Sequence, residues 1–211
     1  MKEIVKAPEK EQAMIAASLK LFGNKGFAAT KMEDLAKEAG VSKGLLFHYF
    51  GNKTNLYLAT YEHARQFFYQ HIDPEAWSAA NDFSEMVEQS MRRKLGLQIH
   101  NPLEFNFLFR SLSELQQLPE GIKSQLAVKM QEEYQVTLQL ITPVLDRMEI
   151  AAPYTREDVL RVLYFVVQGE TEAIQREMSQ HPEWTTLEQM EPMVKRMKTS
   201  LSLIQNGFLK S

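Results

Sequence analysis

The 211-residue chain contains no cysteine, which excludes disulfides, thiolate metal sites and cysteine nucleophiles and fits a reducing, cytoplasmic setting. It has no run of about 18 apolar residues, so a membrane span is not expected. Its opening segment, MKEIVKAPEKEQ, lacks the apolar stretch of a signal peptide. The five histidines, His48, His63, His71, His100 and His181, form no H-E-x-x-H or other tight ligand spacing, so no metal site is expected. There is no G-x-S-x-G and no Gly-rich phosphate loop. Glu170 and Glu172 stand two apart and so point to different faces of a helix. No catalytic residue is therefore assigned, and a non-enzymatic chain without a cofactor is expected. Arginine is missing from residues 1–60, where nine lysines face six acidic residues, a local balance of +3. The other 151 residues carry 15 basic and 21 acidic side chains, or −6, within an overall −3. A basic end on an acidic body suits a molecule that turns one end toward phosphate.

Helical patterns are abundant, and strand alternation bounded by hairpin turns is not. At 44% hydrophobic, the chain can bury a substantial core. Ile15, Leu19 and Phe22 recur at helical spacing in a first helix over about Glu9–Lys25, ended by Gly23 and Gly26. Thr30 with Glu33 reads as a capping box for a short helix to Ala39, and Gly40 suits its left-handed end. Ser42 then caps a helix over about Lys43–Phe50, pinned from inside by Leu46 and Phe50. Its other side carries Lys43, Gly44, Leu45, His48 and Tyr49. A fourth helix has no breaker between Lys53 and about His71. Later start signals are Asp82 with Glu85, Pro102, Pro119, Thr155 with Asp158, and Thr185 with Glu188; Pro143 marks a kink or stop.

Two short helices with a pinned inner face and a free outer face make a helix-turn-helix. The run A-G-V-S-K-G-L-L-F-H-Y-F-x-N-K-x-x-L resembles the DNA-binding signature of the TetR family of bacterial transcriptional regulators. The segment Ala13–Ala36, AMIAASLKLFGNKGFAATKMEDLA, is similar to that family's entry into the motif. The resemblance covers roughly the first quarter of the chain. It implies an all-α protein: a three-helix DNA-binding domain over residues 1–52 and a larger ligand-binding and dimerisation domain over 53–211. It also implies a homodimer on a double-stranded, near-palindromic operator, most simply a repressor released by an apolar small molecule. Lys43, Gly44, Leu45 and His48 are then expected at base edges and groove walls, and Thr30, Ser42, Tyr49 and Lys53 at phosphates. Phe47 stands where a tyrosine is common in the family. It has no hydroxyl for a phosphate and is expected against sugar or a thymine methyl.

The body is rich in aromatics and has most of the chain's 11 methionines. Such residues line adaptable apolar sites, although core packing alone also uses them. The expected ligand pocket comprises Phe67, His71, Phe105, Phe109, Met130, Tyr134, Tyr164, Gln168 and Glu172. The segment 159–167, VLRVLYFVV, is apolar on nearly every side, which calls for packing on two faces. A dimer interface through Val162, Phe165, Val166, Gly169, Met193, Met197, Leu201 and Ile204 would supply the second. The alternative is a helical ligand-binding or adaptor protein whose DNA-reading segment is not functional.

Overall fold

A computed structural model describes residues 7–181, 183–184 and 186–208. The fold is all-α. Its helices are α1 (Pro8–Ala29), α2 (Met32–Glu38), α3 (Lys43–Phe50), α4 (Lys53–Tyr69), α5 (Pro74–Ala79), α6 (Phe83–His100), α7 (Pro102–Ser113), α8 (Glu120–Leu145), α9 (Arg156–Gln180) and α10 (Leu187–Phe208). Two compact units divide them. The first joins Met1–His71 to Asn101–Met130, and the second joins Ile72–His100 to Gln131–Ser211. The boundary expected at residue 52 falls inside the first unit, because α7 returns to pack against α1 and α4. No helix among the described residues is long and apolar enough to cross a membrane.

In the first unit, α1 starts with Pro8, whose missing N–H costs nothing at that position, and with Glu9 and Glu11 favourably placed on the helix dipole. Met14, Ile15, Ser18, Leu19 and Phe22 form its buried stripe. Near its end the backbone kinks at Gly26, φ +78°, a conformation that suits glycine. A Cβ there would lie 2.3 Å from Glu114 Oε2. The Glu114 carboxylate accepts the Phe27 N–H at 2.9 Å, so the end of α7 holds the end of α1. Tyr57 of α4 packs edge-on against Phe22, Phe27 and Phe107, with ring centroids 5.0–5.2 Å away. Its hydroxyl donates to Ser111 Oγ at 2.9 Å, and burial pushes its pKa up. Full burial of a Phe or Leu side chain contributes about 1.5–3 kcal/mol, so Phe22, Leu35, Leu46, Leu56 and Phe107, all at 0% exposure, anchor this unit.

In the second unit, α10 lies along α6 and α9. Met190, Met193, Val194, Met197 and Leu201 form the buried stripe of α10 against Phe83, Met86 and Leu163. Arg92 bridges Glu88 and Glu191, while Lys198 pairs with Glu88 from α10. The Thr155–Asp158 capping box starts α9 as expected. Asp82 accepts the Glu85 N–H at 2.8 Å where α6 begins. Pro143 sits inside α8, which stops two residues later at Leu145. Thr185, the expected start signal of the last helix, lies outside the described residues. Met193, Met197 and Leu201, expected at a dimer interface, are 0–2% exposed in the unit's own core. Their stripe faces α6, a contact that the sequence pattern alone does not distinguish from one with a second subunit.

Candidate nucleic-acid interface

The helices α2 and α3 are joined by a short turn through Gly40, Val41 and Ser42. Gly40 is left-handed at φ +66°. Around it the Val41 N–H donates to Ala36 O at 2.9 Å and the Gly40 N–H to Lys37 O at 3.2 Å, a Schellman closure of α2. Ser42 caps α3 by accepting the Leu45 N–H at 3.2 Å. Asn52 caps α4 in the same way, through the Asn55 N–H at 2.8 Å. Leu46 and Tyr49, three apart, are buried and pin α3. Lys43, Gly44, Phe47 and His48 are exposed on the other face, and Leu45 is half-buried at its margin. Nothing lies within 4 Å of a Cβ built on Gly44, so α3 presents open backbone at its N-terminal end.

This outer face carries one lysine, one histidine and one aromatic ring beside the open N-terminal end of α3. Lys43, at the first position of α3, forms an ion pair with Glu33 of α2. That ammonium holds the Glu33 carboxyl below the usual carboxylate range. It also lies 5.7 Å from the centroid of the Phe47 ring, one turn on. Phe47 is 38% exposed, apolar surface free to meet a sugar or a methyl group.

Three expected phosphate ligands are tied inward. Thr30 does not cap α2. It is 1% exposed, and its hydroxyl donates to Gly26 O at 2.7 Å, closing the α1 kink. The helix begins one residue later than a capping box would place it, at Met32 with Lys31 at the cap position. Tyr49 is on the inner face, because its three-residue spacing from Leu46 puts both on one side of α3. Its hydroxyl accepts the Ala7 N–H at 2.7 Å. Lys53 donates to Phe27 O at 2.8 Å and Thr30 O at 3.0 Å, with its ammonium 4.2 Å from the Phe27 ring centroid. Burial holds that ammonium below the ordinary lysine value. Of the four, Ser42 alone stays exposed. Sequence reasoning missed Glu33 as the partner of Lys43, having spent it on the capping box. It also missed Glu114, which carries no local signal.

Residues 14–60 match bacterial regulatory proteins of the tetR family. The N-terminal helices are a tetR family helix-turn-helix. The HTH-type transcriptional regulator BetI of Rhizobium meliloti (strain 1021) is 38% identical over 60 residues, 28% of this chain and 30% of that protein. The chain spans under a third of the length of the curated relatives it matches. Solved structures carry the likeness of fold further. A TetR-like transcriptional regulator from Rhodococcus sp. RHA1 superposes with a TM-score of 0.64 at 19% identity, covering 96% of this chain and 97% of that one. NalD, the secondary repressor of the MexAB-OprM multidrug efflux pump in Pseudomonas aeruginosa, gives 0.63 at 16% identity, covering 98% and 100%.

Outside the tetR-type helix-turn-helix, the expected pocket residues fall into clusters in separate units. In the first unit the Phe67 ring lies 4.5 Å from that of His71, and Phe105 lies 4.3 Å from Phe68. Phe109 and Met130 are half-buried there. In the second unit Tyr134 and Tyr164 meet edge to face at 5.9 Å, while Gln168 and Glu172 are exposed on α9. Of the expected interface residues, Val162 is 40% and Phe165 66% exposed, Gly169 is exposed, and Val166 and Ile204 are half-buried. Leu203, 71% exposed on α10, adds an apolar side chain that sequence reasoning did not single out.

Proposed function

We propose that this chain is a sequence-specific, DNA-binding transcriptional regulator of the tetR type, acting as a repressor. The observation that carries the reading is the outer face of α3. It is a short helix, capped and pinned from below, that offers Lys43, Gly44, Phe47 and His48 to a groove. The family match over the same residues supports it. Lys43 serves as the reader of guanine acceptors, and Leu45 and Phe47 meet thymine methyls or sugar. Ser42 and the exposed N-terminal end of α3 suit a phosphate.

The working form is a homodimer, which sets two α3 helices in successive major grooves about 34–36 Å apart, or a small multiple of that. The exposed α9 side chains Val162 and Phe165 favour a second copy of this chain, since apolar surface of that kind is seldom left to water. An apolar small molecule acts as effector by binding the DNA-competent and released forms unequally, with coupling on the order of 1–3 kcal/mol per site. Catalysis has no part in this reading. The test is to capture genomic DNA fragments with the purified full chain and sequence them. The expected result is an inverted repeat with half-site centres about 10–10.5 bp apart or a small multiple. Enrichment without any shared motif overturns the reading.

A further inference from the structure

The lysine at the start of α3 is not free. Its ammonium is shared between the Glu33 carboxylate, ten residues earlier on α2, and the face of Phe47 on its own helix. Both charged side chains remain more than half exposed, so the pair sits on the surface that would face DNA rather than inside the fold. Glu33 also occupies the first turn of α2, where the helix dipole favours a carboxylate. Lys43 is thus pre-set by two neighbours, one of them anionic.

We infer that Glu33 is a specificity-determining positioning residue, which holds Lys43 for base acceptors and penalises its use on phosphate; this rests on the regulator reading above. The ammonium has three donors. It can keep one on Glu33 and turn the others to guanine O6 and N7, which are neutral acceptors. A phosphate contact sets two anions around one cation. Either the carboxylate stays close to the phosphate and repels it, or Lys43 leaves Glu33 and the pair is lost. Off-site binding consists almost wholly of phosphate contacts. The repulsion therefore falls mainly on wrong sequences, and specificity grows by weakening the competitor. Counterions report the same asymmetry. While Glu33 neutralises Lys43, a phosphate contact by that lysine displaces none of the cations condensed on the DNA. Without Glu33 it does.

The test uses Glu33→Gln, which keeps the shape and removes the charge, in the full chain. Affinity for the captured operator and for a scrambled duplex is measured by fluorescence anisotropy across a salt series, and circular dichroism verifies the fold. Scrambled-DNA affinity is expected to rise about three- to ten-fold, with its salt slope steepening by about 0.9. Operator affinity should change less than two-fold, so the specificity ratio falls. In a Lys43→Ala background the same change should lose most of its effect on scrambled DNA. A ratio and slope unchanged by Glu33→Gln overturn the inference, as does an equal gain on both duplexes. An equal effect with and without Lys43 overturns it too. These outcomes are separable from failure of the regulator reading, in which the unmodified chain itself shows no preference for any captured sequence.

Discussion

Lys53 is where sequence pattern and structure assign opposite jobs to one side chain, and Lys53→Met separates them. The substitution keeps most of the stem and removes the ammonium. Two charged hydrogen bonds are lost, to Phe27 O and Thr30 O, together with the stacking on the Phe27 ring. A hydrogen bond to a charged group contributes about 1.5–3 kcal/mol, and a partly desolvated cation over a ring about 0.5–2. The site is only part-buried, so water can reach the freed carbonyls and recover some of this. A net loss of about 2 kcal/mol is expected. The first unit holds roughly 100 residues. A cooperative unit of that size loses about 4–8 °C in Tm per kcal/mol, so a fall of about 8–16 °C is expected if it melts alone. If the whole chain melts as one, about 4–8 °C is expected. Differential scanning calorimetry reads this. The salt slope of DNA binding, taken where the variant is fully folded, should stay within a few tenths of the unmodified value. An unchanged Tm with a slope lower by about one unit would refute the reasoning and make Lys53 a phosphate ligand.

Gly26→Ala should destabilise the first unit by about 1–3 kcal/mol, since φ is +78° and the new Cβ would meet Glu114 Oε2 at 2.3 Å. A urea midpoint equal to that of the unmodified chain would show that the kink relaxes freely. Glu62 gathers Arg65, Gln66 and, across from α8, Lys129 at 2.5 Å; Arg65 chiefly holds its carboxyl down at about 2 from an ordinary 4.5. A depressed folded pKa stabilises above the unfolded value, and that share is lost as pH falls from about 4.5 through about 2. Glu62→Gln should accordingly narrow the Tm difference between about pH 6 and pH 3, and an unaltered difference would count against the cluster. Phe165→Glu, placed on the most exposed aromatic of α9, should convert a dimer into a folded monomer by light scattering. A variant that stays dimeric moves the interface elsewhere.

The helix-turn-helix was legible because its signals are local. Gly40, Ser42 and Asn52 act within three or four residues of themselves, and each takes the role its chemistry suggests. What was misread depends on partners far along the chain. Thr30 is drawn into the α1 kink, and that kink is held by Glu114, 87 residues beyond Phe27. Tyr49 meets Ala7, 42 residues back. A side chain able to bind phosphate is equally able to bind a nearby carbonyl, and composition does not decide between them. The division into units was hidden for the same reason, since the packing of α7 on α1 leaves no mark in either helix alone. The methionine stripe of α10 was read as apolar, correctly. Which neighbour covers such a stripe is a tertiary fact.

The most direct measurement is a competition of two duplexes for the purified chain at about 150 mM salt: the captured operator, and a scramble of the same composition. Fluorescence anisotropy gives the affinity ratio. A sequence-reading α3 requires a preference of about 10³-fold or more for the operator. Equal, weak and salt-sensitive binding to both duplexes would contradict it.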